Sequence, residues 1–105
     1  MDTVIHGSGA RALGAAIIGG AVQTIRDAIV SLSGDAADGP ARRRHYRAIG
    51  PEIRWLASDG NGPLSFGWLC GCLRLNAGMI RRRVARELLA TGDRELEKLA
   101  KLLAA

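Results

Sequence analysis

Disulfide chemistry has little to work with in this chain, because its only cysteines are Cys70 and Cys72. Two thiols one residue apart cannot build a disulfide framework, and with His6 and His45 distant in sequence they make no zinc spacing. A reduced thiol pair is expected. Aromatics are as scarce: Tyr46, Trp55, Phe66 and Trp68 are the whole set. With Val and Thr also sparse, a sheet would lack the side chains that fill a pleated surface. The apolar run Ala12–Val22 is interrupted by Gly14, Gly19 and Gly20, well short of the roughly 20 residues of a membrane span. Asp2 and the absence of a basic start argue against a signal peptide. Paired carboxylates and phosphate loops are missing too, and Gly7-Ser8-Gly9 lacks the strand-and-helix context of a nucleotide fingerprint. No enzyme, catalytic residue, cofactor, metal or membrane contact is expected, and the expected location is the cytoplasm, at the nucleoid.

What is present suits packed helices. In 105 residues, 48% are apolar, mainly Ala, Leu and Ile, which supports one core. The expectation is an all-α fold, a small domain of four to five helices. Charge is unevenly placed. Residues 1–40 set Arg11 and Arg26 against four aspartates, residues 41–86 hold ten arginines against Glu52 and Asp59, and residues 87–105 are nearly balanced. A basic middle suits an anionic polymer. Arginine dominates the basic residues, which favours bidentate contact with phosphate or guanine.

Along the chain, Val22, Ile25, Ile29 and Leu32 recur at helical steps, predicting a helix over Ala21–Leu32 that could reach back towards Ala10. His6 then belongs to a frayed start. Ser33–Pro40 reads as a turn-rich linker. A basic helix over Ala41–Ile49 is interrupted at Gly50-Pro51, and Pro51 opens a short helix through Ala57 with Ile53, Trp55 and Leu56 inward. Ser58–Pro63 is a loop. Ser65 caps Phe66–Leu73, and Asn76 caps Ala77–Ala90. Asp93 caps a last helix to about Leu103, striped by Leu96, Leu99, Ala100 and Leu103. Residues 1–38 thus form an N-terminal segment for dimerisation or partner binding, and residues 39–105 the main domain.

The Ser65–Val84 stretch meets the side-chain requirements of a helix-turn-helix. Leu69 precedes the small Cys70, Leu73 ends the first helix, Leu75 follows Arg74 in the turn, and Ile80 and Val84 point inward, these six forming the core of the unit. Cys70 takes the place of a small apolar residue. Arg74 departs from the pattern, since the turn residue tends to positive φ and glycine is common there. Ala77, Gly78, Arg81 and Arg82 fall where base edges are read, with Arg83 and Arg86 better placed for phosphates. Ser65 and Asn76 stand at helix N-termini, where anions are favoured. Arg42, Arg43, Arg44 and Arg47, interleaved with His45 and Tyr46, extend the basic footprint. The competing reading of both arginine clusters is a solvated helix face. Trp55 belongs to the core by spacing, while Trp68 sits at a partly exposed position.

The stretch WLASDGNGPLSFGWLCGCLRLNAGMIRRRV resembles small phage and prophage helix-turn-helix proteins, and within them the DNA-binding portion of activators of gene transfer agent clusters. The resemblance covers roughly Ala41–Leu89. It implies sequence-specific binding of double-stranded DNA and control of transcription, as an activator of a phage-like cluster, with RNA polymerase or another DNA-binding protein as further partners. The apolar stripes of the first and last helices predict a homodimer. The alternative is a phage-type DNA-packaging or structural adaptor that binds DNA and assembles into a ring. A third reading is a regulator whose basic face meets an acidic protein.

Overall fold

A helix containing six glycines is held by packing rather than propensity, and the first element is such a helix. The computed structural model describes residues 2–34, 39–58, 60 and 62–104, with side chains from residue 11 onward apart from Ser33 and Gly34. Its elements are α1 (Asp2–Gly34), α2 (Gly39–Ala57), α3 (Phe66–Leu73), α4 (Ala77–Leu89) and α5 (Arg94–Ala104). Among the described residues there is no strand. At about 1.5 Å per residue α1 is roughly 50 Å long, which sets the 53 × 25 × 19 Å shape of the molecule. The expected linker shrinks. Ser33-Gly34 belong to α1 and Gly39-Pro40 to α2, and residues 35–38 lie outside the described residues.

Helix α1 is not a segment apart. Ile18, Ala21, Ile25, Ala28 and Leu32, at alternating steps of three and four, are buried, and most of this stripe joins one core with Ile53, Phe66, Leu69, Val84 and Leu96. This corrects the expected stripe: Ile25 and Leu32 are buried, whereas Val22 and Ile29 are half-exposed. The small Ala21 and Ala28 let neighbouring helices come close, and they carry too little hydrophobicity to stand out in a periodicity. At Gly14, a Cβ would sit 3.3 Å from Leu69 and 3.5 Å from Leu73, so glycine here permits the approach of α3. The helix also revises the expectation about spans. Arg11–Leu32 is long and apolar enough by length and composition to cross a membrane, yet it carries Arg26 and Asp27 and its apolar stripe is the floor of the core.

The second correction is at Pro51, which lies inside a continuous α2 rather than opening a new helix. An interior proline costs a helix about 3 kcal/mol. Ile49, Ile53 and Leu56 on either side are fully buried, each worth about 1.5–3 kcal/mol. Packing therefore outweighs the break and keeps the axis continuous.

Helices α4 and α5 form a tight pair closed by Gly92 at φ 73°. Asp93 caps α5, accepting from the backbone N–H of Glu95 at 2.9 Å and of Leu96 at 3.3 Å. The same carboxylate receives the Tyr46 hydroxyl at 2.6 Å and the Arg42 guanidinium. One residue thus caps α5 and ties it to α2. Leu96, Ala100 and Leu103 are consumed by the core and Leu99 is half-buried, so the α5 stripe is no spare surface for a second copy.

Partial burial pushes the Asp93 carboxyl up, but hydrogen bonds from Tyr46, Arg42 and the two backbone amides outweigh it and hold the group below the usual carboxylate range. A lowered folded-state pKa stabilises the fold above the unfolded value and is lost as pH falls through the folded one. Asp93→Ala should cost about 1–2 kcal/mol at neutral pH. In urea titrations the gap from wild type should narrow below about pH 4.

Candidate nucleic-acid interface

The region from α2 to α4 is organised around one arginine. Arg81 Nε donates to the Leu56 carbonyl at 2.6 Å and its Nη2 to the Ser58 carbonyl at 3.1 Å. Those carbonyls belong to the C-terminal end of α2, where unpaired acceptors and the helix dipole both favour a cation. The guanidinium also lies over the Phe66 ring, 5.3 Å from its centroid. Phe66 in turn meets Trp55 edge-on at 5.4 Å, and Trp55 Nε1 donates to the Leu64 carbonyl at 3.2 Å. Arg81, expected to read bases, is therefore engaged on the inner side of α4. It binds α2, α3 and α4 together.

Helices α3 and α4 are joined by Arg74, Leu75 and Asn76. Arg74 is left-handed, at φ 57° and ψ 40°, as its position demands. Its N–H points to the Gly71 carbonyl at 3.3 Å, and that of Leu75 to the Cys70 carbonyl at 2.8 Å. These two bonds make a Schellman closure. The left-handed step leaves Leu75 44% exposed, against the expectation that it fills the core. Leu69 and Cys70 are buried and Leu73 is packed beneath them at the core's edge. Burial pushes the Cys70 thiol up, partly offset by Arg81, while Cys72 is exposed and both thiols are unbridged.

Both expected caps form. Ser65 Oγ accepts from Trp68 N–H at 3.3 Å, and Asn76 Oδ1 from Met79 N–H at 3.0 Å. Capping uses their acceptors and leaves the serine hydroxyl hydrogen and the asparagine amide NH2 as donors. Ala77 packs against the core with Ile80. A Cβ on Gly78 would lie 3.3 Å from Asn76 Oδ1 and 3.4 Å from Arg82 Nη1, so this glycine makes room for the cap and for Arg82. Both small residues are half-buried.

The outward face of α4 consists instead of Met79, Arg82, Arg83 and Arg86, which line a shallow cleft. They recur at steps of three, one and three, opposite buried Val84, Ala85 and Leu88. Glu87, the acidic residue of α4, is held to Arg26 of α1 at 3.1 Å. Among the described residues, no carboxylate lies within ion-pair distance of Arg82, Arg83 or Arg86. Met79, 61% exposed, was missed by sequence reasoning. Its step from Arg82, Arg83 and Arg86 was the available signal.

The second basic cluster divides. Arg42 is tied to Tyr46 and Asp93, and these hydrogen bonds, Tyr46 first, raise its pKa. Arg43, Arg44 and Arg47 are on α2, where all three are exposed and His45 is half-buried. Trp68 is 43% exposed, as its position on α3 implied.

Replacing Arg81 by Ala strands two carbonyls and should lower unfolding stability by about 2 kcal/mol. Arg82→Ala and Arg83→Ala should stay within about 0.5 kcal/mol of wild type in the same urea titrations. Comparison with protein-family models, with curated proteins and with solved structures returns no match.

Proposed function

We propose that the chain is a sequence-specific DNA-binding protein that controls transcription, with α3 and α4 acting as a helix-turn-helix and α4 as the helix that enters the major groove. The observation carrying this reading is the outward face of α4, with three arginines and no carboxylate partner among the described residues. A solvated helix face ordinarily mixes acids with bases. Arg82 at the start of that face is the best placed to donate to guanine O6 and N7, and Arg83 and Arg86 to grip phosphates. Ser65 and Asn76 add donors at the two helix N-termini, and Arg43 and Arg44 extend the contact from α2. In this assignment Arg81 leaves the base-reading set and Arg42 the basic footprint, and both support the scaffold. The resemblance to phage and prophage activators supports activation of a phage-like or gene transfer agent cluster, with RNA polymerase or a second DNA-binding protein as co-partner.

In a gel shift on the chain's own upstream region, wild type should bind with a steep salt dependence. Arg82→Ala/Arg83→Ala should weaken binding and reduce the slope of log K against log salt by about 2. An unchanged slope would reject this face, and absence of salt-dependent binding would favour an acidic protein partner.

A small unit of this kind gains affinity by pairing, and the exposed Leu13 and Val30 of α1 support a homodimer. Light scattering should then give the mass of two chains. A mass of many copies would favour the ring-forming adaptor.

A further inference from the structure

Between α2 and α5 lies a cleft of about 490 Å³ lined by Tyr46, Arg47, Gly50, Pro51, Arg54, Glu95, Lys98 and Leu99. Its size falls in the range of small-ligand sites. Arg47, Pro51 and Arg54 stand at steps of four and three, so they share one face of α2, and Lys98 approaches from α5. Three cations thus line the cleft with one carboxylate, Glu95, which is bonded to Lys98 at 3.3 Å between exposed side chains. Such an exposed pair is weak and readily exchanged. Arg54 is exposed, and a Cβ on the buried Gly50 would lie 3.6 Å from its guanidinium, so its head lies back along α2 beside the cleft. Pro51, having no N–H, cannot donate to the Arg47 carbonyl, and its ring stands beside that carbonyl instead. Tyr46, Pro51 and Leu99 give the cleft an apolar wall. Cations beside an apolar wall match a phosphate ester joined to a flat apolar body.

We propose that the α2–α5 cleft binds a nucleotide, with Arg47, Arg54 and Lys98 on its phosphate and Tyr46, Pro51 and Leu99 against its sugar and base. This site is distinct from the DNA-facing side of α4 and does not depend on it. The nucleotide has two sources, a free molecule or a unit of a DNA strand, and both present the same phosphate ester.

The test titrates the full chain calorimetrically with AMP, with inorganic phosphate and with duplex DNA. Wild type, Arg47→Ala/Arg54→Ala and Arg82→Ala/Arg83→Ala are compared, each first shown to melt as wild type does. The expected result is saturable AMP binding, tighter than that of inorganic phosphate, weakened about tenfold or more in the first variant and unchanged in the second. If AMP does not bind but the first variant loses about tenfold in duplex affinity, the nucleotide comes from DNA and the cleft stands. Overturning results are AMP no tighter than inorganic phosphate, equal loss in both variants, or neither AMP binding nor any duplex effect of the first variant.

Discussion

The structure depends on a cation placed where a helix ends. Arg81 satisfies two carbonyls at the C-terminus of α2 and stacks on Phe66 of α3 from its position in α4. A hydrogen bond from a charged donor contributes about 1.5–3 kcal/mol, and a cation over an aromatic ring adds about 0.5–2 kcal/mol. That is comparable with burying a large side chain. Because the three helices meet at this guanidinium, the direction of α4 relative to α2 is set here. The face of α4 that looks outward follows from it.

A second polar node repeats the logic at the far end of α2. Asp93 caps α5 while accepting from Tyr46 and Arg42. Between the two nodes α2 is fastened at both ends, which explains how a helix with Pro51 in its middle stays continuous. The arginines thus fall into two groups. Arg42, Arg81 and Arg26 hold helices together, while Arg82, Arg83, Arg86, Arg43 and Arg44 are left to solvent. A high count of arginines does not by itself measure a binding surface.

Much of this was legible from local chemistry. Ser65, Asn76 and Asp93 were readable as caps because capping is decided within three residues, and Arg74 as a left-handed turn because that position tends to positive φ. The all-helical class followed from composition. What was hidden was set at long range. Arg81 finds its acceptors twenty-five and twenty-three residues earlier in the chain, and backbone carbonyls leave no signature in a sequence. The contact stripe of α1 runs through Ala21 and Ala28, which look neutral in a hydrophobic pattern. Pro51 looked like a boundary because the burial of Ile49 and Ile53 that overrides it is tertiary. Within the candidate site, Arg82, Arg83 and Arg86 kept their outward placement, Ala77 and Gly78 turned to supporting the helix start, and Met79 emerged only when the outward face was defined.

The division between the inner arginine and its outer neighbours underlies both the fold and the proposed DNA face. Arginine Nε–H signals, measured by NMR with and without duplex DNA, report on it residue by residue. The Arg81 Nε–H should be protected from exchange in the unbound protein and little changed by DNA, with the signals of Arg82, Arg83 and Arg86 exchanging fast and shifting on binding. A fast-exchanging Arg81 that shifts with DNA while those three stay unmoved would contradict it.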